Sequence, residues 1–186
     1  QHDLQRDGCM VHVIRCDVSD ESDVLSLLRD VREVCGSIVG VVHAAGVLRD
    51  GLLRDGKCLD GFDDVWNAKA KSAYLLHKHT LSDVLSCFVC FSSITSVVGN
   101  PGQVAYGVAN AGLDHLVADR LSNGLACASL QWPAVSSIGM AASGMNKVAG
   151  MMISPDNVAT ILTAAFSGSI AGVVSMLGAS GDAIIA

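Results

Sequence analysis

Short apolar runs alternate along this chain with longer stretches of helical periodicity, and that alternation constrains the fold more than any single motif. Val11 to Val18 reads as a strand ending in Cys16-Asp17-Val18, after which Ser19 or Asp20 can cap a helix. Val24, Leu25, Leu28, Val31 and Val34 give that helix an apolar face, and Gly36 stops it. Ser37 to His43 is an almost uncharged β-branched run, as expected of a strand buried on both faces, and it runs into Ala44-Ala45-Gly46. A second helix is expected over roughly Phe62 to Thr80, then a strand over Cys87 to Phe91 leading into Ser92-Ser93. A third helix follows over roughly Val104 to Ser122, then a strand over Ala126 to Trp132. Pro155 starts a last helix, and Val173 to Leu177 is a last strand. Strands that alternate with helices and are apolar on both faces predict a parallel sheet between helix layers. Ligands of such sheets sit beyond the carboxyl ends of the strands. The segments to inspect are therefore Asp17-Val18, Ala44-Ala45-Gly46, Ser92-Ser93 and Pro133-Ala134.

Composition removes several alternatives. The 186 residues are 51% apolar and only 16% charged, which fits one globular unit with a real core. The net charge of -6 comes without a basic stripe, so nucleic acid is not an expected partner. The uncharged stretch from Asn157 to Gly181 raises the question of a membrane span. Ser167-Gly168-Ser169 and Gly172 interrupt it and no basic flank follows, so a helix, a turn and a strand explain it better. Seven cysteines, an odd number, do not suggest a disulfide framework. Cys87 and Cys90 form a C-x-x-C, but they lie in an apolar run with no second pair at metal-ligand spacing. They read as buried strand thiols, with no metal site, in a reducing cytosol. No signal-peptide pattern is present.

Ketone reduction needs a hydride donor on one face of the carbonyl and a proton donor at its oxygen. Tyrosine can give that proton if neighbours tune its pKa, and an adjacent hydroxyl can hold the oxygen. Tyr106 stands near the start of the third helix, thirteen residues after Ser93, with Asn110 one turn further on the same face. Lys69 lies on the second helix, in Trp66-Asn67-Ala68-Lys69-Ala70-Lys71.

These stretches resemble the ketoreductase domains of type I polyketide synthases and animal-type fatty acid synthases, within the short-chain dehydrogenase/reductase superfamily. The matching words are Cys16-Asp17-Val18, His43-Ala44-Ala45-Gly46-Val47, Phe91-Ser92-Ser93, Pro101-Gly102-Gln103, Tyr106-Gly107-Val108-Ala109-Asn110-Ala111 and Gln131-Trp132. Tyr-x-x-x-Asn, in place of the ordinary Tyr-x-x-x-Lys, with Lys moved to an earlier helix, separates the synthase ketoreductases from other members. Lys69 matches better than Lys71 because it lies eight residues before His77.

The resemblance implies a Rossmann-type doubly wound α/β fold and reduction of a β-ketoacyl thioester, carried by an acyl carrier protein, with NADPH as cofactor. Other synthase domains are the implied partners. Tyr106 would protonate the carbonyl oxygen, Ser93 would hold it, Lys69 would bind the nicotinamide ribose and lower the Tyr106 pKa, and Asn110 would hold a proton-relay water. Asp17 and Val18 would flank the adenine, and Ala44, Ala45, Gly46 and Pro133 would line the dinucleotide. His43 reads as a packed strand-end residue. Leu48-Arg49-Asp50 resembles the Leu-x-Asp of B-type ketoreductases, although their middle residue is often Asp. Pro101 also fits that type, and the A-type Trp is replaced by Val98. Asp50, Pro101 and Gln103 are thus assigned to substrate and stereochemistry, with a D-hydroxyl product.

Residues 138–155, rich in Met, fall where the family carries a substrate lid; an ordinary core helix is the other reading. No G-x-G-x-x-G occurs in the 186 residues. The resemblance therefore implies one partial domain over 1–186, lacking the first strands and the glycine-rich loop, with poor or no NADPH binding and no activity expected of this chain alone. It also implies that the Val11 strand either pairs directly with the Ser37 strand or leaves an apolar edge exposed. Two other readings stay open: a free-standing carbonyl reductase, and a non-catalytic domain of a megasynthase.

Overall fold

The computed structural model describes residues 10–57, 59–135, 152–175 and 184–185. The first helix, α1 (Glu21–Cys35), is capped by Asp20, whose carboxylate accepts from the backbone N–H groups of Ser22 and Asp23. Strand β1 (Gly40–His43) follows. The second helical stretch is built in three pieces: α2 (Phe62–Trp66), a π segment (Asn67–Lys71) and α3 (Ser72–His79). Then come β2 (Cys87–Ser93), a short α4 (Thr95–Val98), the long α5 (Val104–Ser122) and β3 (Ala128–Trp132). β4 (Ala134–Val135), β5 (Met152–Ile153), α6 (Pro155–Phe166), β6 (Gly172–Ser175) and β7 (Ile184–Ile185) complete the described chain.

The main sheet has the order β1-β2-β3-β6-β7. The first four strands are parallel and β7 is antiparallel to β6, while β4 and β5 form a separate parallel pair. Helices cover both faces. On one, Val24 and Leu28 of α1, Ala73 and Leu76 of α3 and Leu113 and Val117 of α5 pack with Val41, Phe88 and Cys90 of the sheet. On the other, Ile161 and Ala165 of α6 pack with Val89, Leu130 and Val174. This is the expected α/β fold, a parallel sheet between helix layers. The uncharged stretch near the carboxyl end is helix, turn and strand, and no described helix is long and apolar enough to cross a membrane. Cys87 and Cys90, three apart on a strand, face opposite sides of the sheet. Cys90 is buried, which pushes its thiol up to about 12.

Two expectations need correction. Residues 11–18 form no strand: they run without a ladder partner, and Val13 and Ile14 are exposed. A β-branched run becomes a strand only where a neighbour accepts its hydrogen bonds, and among the described residues β1 pairs with β2 alone. The stretch expected to be buried on both faces also alternates instead. Val41 and His43 are buried, whereas Val39 and Val42 are 64% and 48% exposed. Of the two arrangements the sequence allowed, the exposed apolar edge is the one observed. Most of the span 138–155 lies outside the described residues, and the lid reading falls there.

Candidate active site

The carboxyl ends of β1 and β2 and the start of α5 converge on Tyr106. Its position depends on close packing of α5 against the π segment. A side chain at Gly112 would bring its Cβ to 3.0 Å from the Ala70 Cβ and 3.3 Å from the Trp66 ring, so the backbone approach needs glycine there. Ala105, Ala109 and Val65 fill the same contact. The π segment itself turns Lys69 inward. Single π turns inside α-helices are uncommon and recur at functional sites.

Lys69 is only 3% exposed. Its Nζ donates to the Phe91 carbonyl oxygen at 2.9 Å and lies 5.4 Å from the centre of the Tyr106 ring, within reach of a cation–π attraction. Burial pushes the ammonium down to about 8, with Cys90 and Asp114 acting weakly the other way. Gly46 lies against the same side chain, where a Cβ would come 3.5 Å from Nζ. At neutral pH the protonated amine still outweighs the neutral one by about tenfold.

Burial raises the Tyr106 phenol above its ordinary pKa, while the polar side chains of Asn110 and Ser93 beside it pull it down and Asp50 adds to the rise. The expected lowering by Lys69 is therefore not what the structure holds. The ammonium is engaged by the Phe91 carbonyl and lies over the Tyr106 ring. Asn110 is fully buried; its Nδ2 donates to the Tyr106 carbonyl at 2.8 Å, and its Oδ1 has no partner among the described residues. Ser93 is buried at the end of β2, its Oγ accepting weakly from the Thr95 N–H at 3.3 Å.

A loop closes one side. Gln103 donates from Nε2 to the Asp50 carboxylate at 3.1 Å and accepts at Oε1 from Asn100, and the Gly51 N–H donates to the Gly102 carbonyl at 2.8 Å. The segment holding Leu48-Arg49-Asp50 is thereby fastened to the turn containing Pro101, directly before the Tyr106 helix. The remaining sequence candidates lie elsewhere. The Asp17 carboxylate accepts from Ser19 in the turn before α1, Val18 packs against the core under that helix, and Pro133 is buried between β3 and β4. Ala44 and Ala45 lead from β1 to Gly46.

One polar cluster escaped the sequence reading. Asp114, one turn beyond Asn110, accepts from Ser96 Oγ at 2.7 Å, Ser129 Oγ at 2.5 Å and Gln131 Nε2 at 2.8 Å. The Ser96 hydroxyl also reaches the Ser93 carbonyl at 2.9 Å, and Ser175 donates to Gln131 Oε1. The cluster ties α5 to the ends of β2, β3 and β6 and so fixes Ser93 relative to Tyr106. Gln131-Trp132 was the only signal in the sequence. Asp114→Ala strands buried donors on Ser129 and Gln131 and is expected to cost about 3 kcal/mol in urea unfolding, with Asp114→Asn costing less.

The KR domain profile matches residues 1–137. The chain belongs to the KR domain family. The KR-family chain is 42% identical over 130 residues to Pks1, a phenolphthiocerol-synthesis type I polyketide synthase of Mycobacterium tuberculosis whose name calls it inactive; the match covers 70% of this chain and 8% of that protein. It is 37% identical over 175 residues to highly-reducing polyketide synthase 1 of Aureobasidium melanogenum, covering 90% of this chain and 8% of the relative. The KR-family chain thus spans less than a tenth of these relatives. Among solved structures, an A1-type ketoreductase superposes with a TM-score of 0.82 at 28% identity, covering 94% of this chain and 37% of the other.

Proposed function

We propose that the chain carries the proton-donating site of a ketoreductase, which converts a β-ketoacyl thioester on an acyl carrier protein to the β-hydroxyacyl thioester within a polyketide or fatty acid synthase. The observation that carries this reading is the gathering of Lys69, Ser93, Tyr106 and Asn110, from a π segment, a strand end and a helix, around one phenol. The residues fit the nicotinamide ribose of NADPH. Lys69 keeps two ammonium hydrogens beyond the one given to Phe91, and Gly46, which has no side chain, lies directly against it. NADPH, when bound there, supplies the hydride.

Tyr106 is protonated at neutral pH, as a general acid must be, and gives its proton to the carbonyl oxygen. Ser93 donates to the same oxygen as its charge develops. Lys69, anchored at the Phe91 carbonyl, would hold the nicotinamide ribose with its remaining ammonium hydrogens. The orphan Asn110 Oδ1 suits a water through which Tyr106 regains its proton. Ala44, Ala45, Gly46 and Pro133 serve the dinucleotide, and Asp17 and Val18 its adenine end.

Asp50, Pro101 and Gln103 support a D-configured product, because their loop and turn are fastened together beside Tyr106. The test is a chiral separation of the β-hydroxyacyl product formed by the full-length protein with NADPH. A D-alcohol is expected, and an L-alcohol rejects the stereochemical assignment.

A further inference from the structure

His43 ends β1 and is 3% exposed. Its Nε2 lies 2.9 Å from the Lys69 carbonyl oxygen and 3.1 Å from Ser72 Oγ. A carbonyl only accepts, so Nε2 carries the hydrogen and the ring is the neutral Nε2–H tautomer. Ser72 can then accept from His43 while it donates to the Ala68 carbonyl at 2.7 Å. Burial pushes the imidazole down to about 4, so it stays neutral through the physiological range.

The bonded carbonyl belongs to the π segment. An inserted residue disturbs the carbonyl ladder of a helix, and a disturbed, buried carbonyl needs another donor. His43 supplies one. Three residues later, Gly46 lies along the Lys69 side chain. The strand end thus holds Lys69 at two points, the backbone carbonyl and the side chain. At the far end, the amine reaches the Phe91 carbonyl and the Tyr106 ring.

We infer that His43 is a positioning residue: its Nε2–H fixes the Lys69 carbonyl, and so sets the π turn that delivers the Lys69 ammonium to Tyr106. The role rests on the ketoreductase reading above, but its physical content, a buried lysine held in place by a histidine, is testable without turnover. The ionisable groups around the amine are Cys90, Asp114, His43 and Tyr106, from the sheet and from α5. None of the variants below alters Cys90, Asp114 or Tyr106.

The experiment is an NMR titration of lysine side-chain signals in the full chain carrying isotope-labelled lysine, with Lys69 assigned by its loss in Lys69→Met. In the unsubstituted chain Lys69 titrates near pH 8. In His43→Leu the released amine regains water, and its midpoint moves up by more than one pH unit toward the ordinary lysine value. In His43→Gln, which keeps an amide donor at similar reach, the midpoint stays close to the starting one. His43→Asn is polar but too short to reach and is expected to behave as His43→Leu does; it keeps the test usable if the leucine variant does not fold. An unchanged midpoint in the folded non-donating variant overturns the inference, as does the same shift in His43→Gln. Because no substrate enters, an inactive protein with a His43-dependent lysine would sink the ketoreductase reading and leave this one standing.

Discussion

Tyr106→Phe is expected to lower turnover of a β-ketoacyl thioester by about 10²–10⁴-fold, the usual worth of a positioned general acid. The ring stays, so the packing beside Val65, Ala105 and Ala109 is preserved and the unfolding midpoint barely moves. The loss should fall on kcat more than on KM, because the missing proton matters only as charge develops on the substrate oxygen. Steady-state kinetics on the full-length protein measure it. A Phe variant with undiminished kcat would remove Tyr106 from the proton-donating role.

Lys69→Met carries the second large effect, and its two parts have opposite signs. The folded state holds Lys69 at about 8, below the ordinary 10.5, chiefly through burial. Between those values the unfolded chain binds more protons than the folded one, so stability rises with pH across that window. Below about pH 8 the full penalty of burying the charge applies. Methionine removes the charge, worth about 3 kcal/mol from the size of the shift, and forfeits the hydrogen bond to the Phe91 carbonyl, worth about 1 kcal/mol. A net gain of about 2 kcal/mol is expected at pH 7. It should shrink as pH approaches 10.5, as read by urea unfolding at the two pH values. Reductase activity should fall in the same variant. In the unsubstituted protein the rate should decline as pH rises through about 8, where the amine loses its charge. No stability gain at pH 7, or a gain indifferent to pH, would contradict this account of Lys69.

The parts of the fold visible in the sequence were those written into local pattern. The apolar runs Cys87 to Phe91 and Ala126 to Trp132 became neighbouring parallel strands, and the long helix after Gln103 began where expected. The nearness of Lys69, Ser93 and Asn110 to Tyr106 was legible because spacing along a strand–helix unit translates directly into nearness at the strand ends. What stayed hidden depended on neighbours. Val11 to Val18 has the composition of a strand, yet nothing in a single run says whether another backbone lies beside it. Asn67 to Lys71 reads as ordinary helix, and its π geometry, with Ser72 and His43 bonded to the Lys69 carbonyl, is seen only in the structure. Ser96, Asp114 and Ser129 look like turn and surface residues until the sheet register sets Gln131 beside Ser92. The direction of the Tyr106 shift was missed for the same reason. Proximity of a cation was readable, but not that its amine is bonded to a carbonyl and sits over the ring.

In the proposed reaction Tyr106 gives the proton while hydride reaches the β-keto carbon. The most direct measurement supplies the full-length protein with NADPH deuterated at its transferable position and a β-ketoacyl thioester, then weighs the product by mass spectrometry. The expected product is a β-hydroxyacyl thioester bearing deuterium on the β-carbon, with almost none of it from Tyr106→Phe. No labelled product from the unsubstituted protein, or equal labelling by the Phe variant, would contradict it.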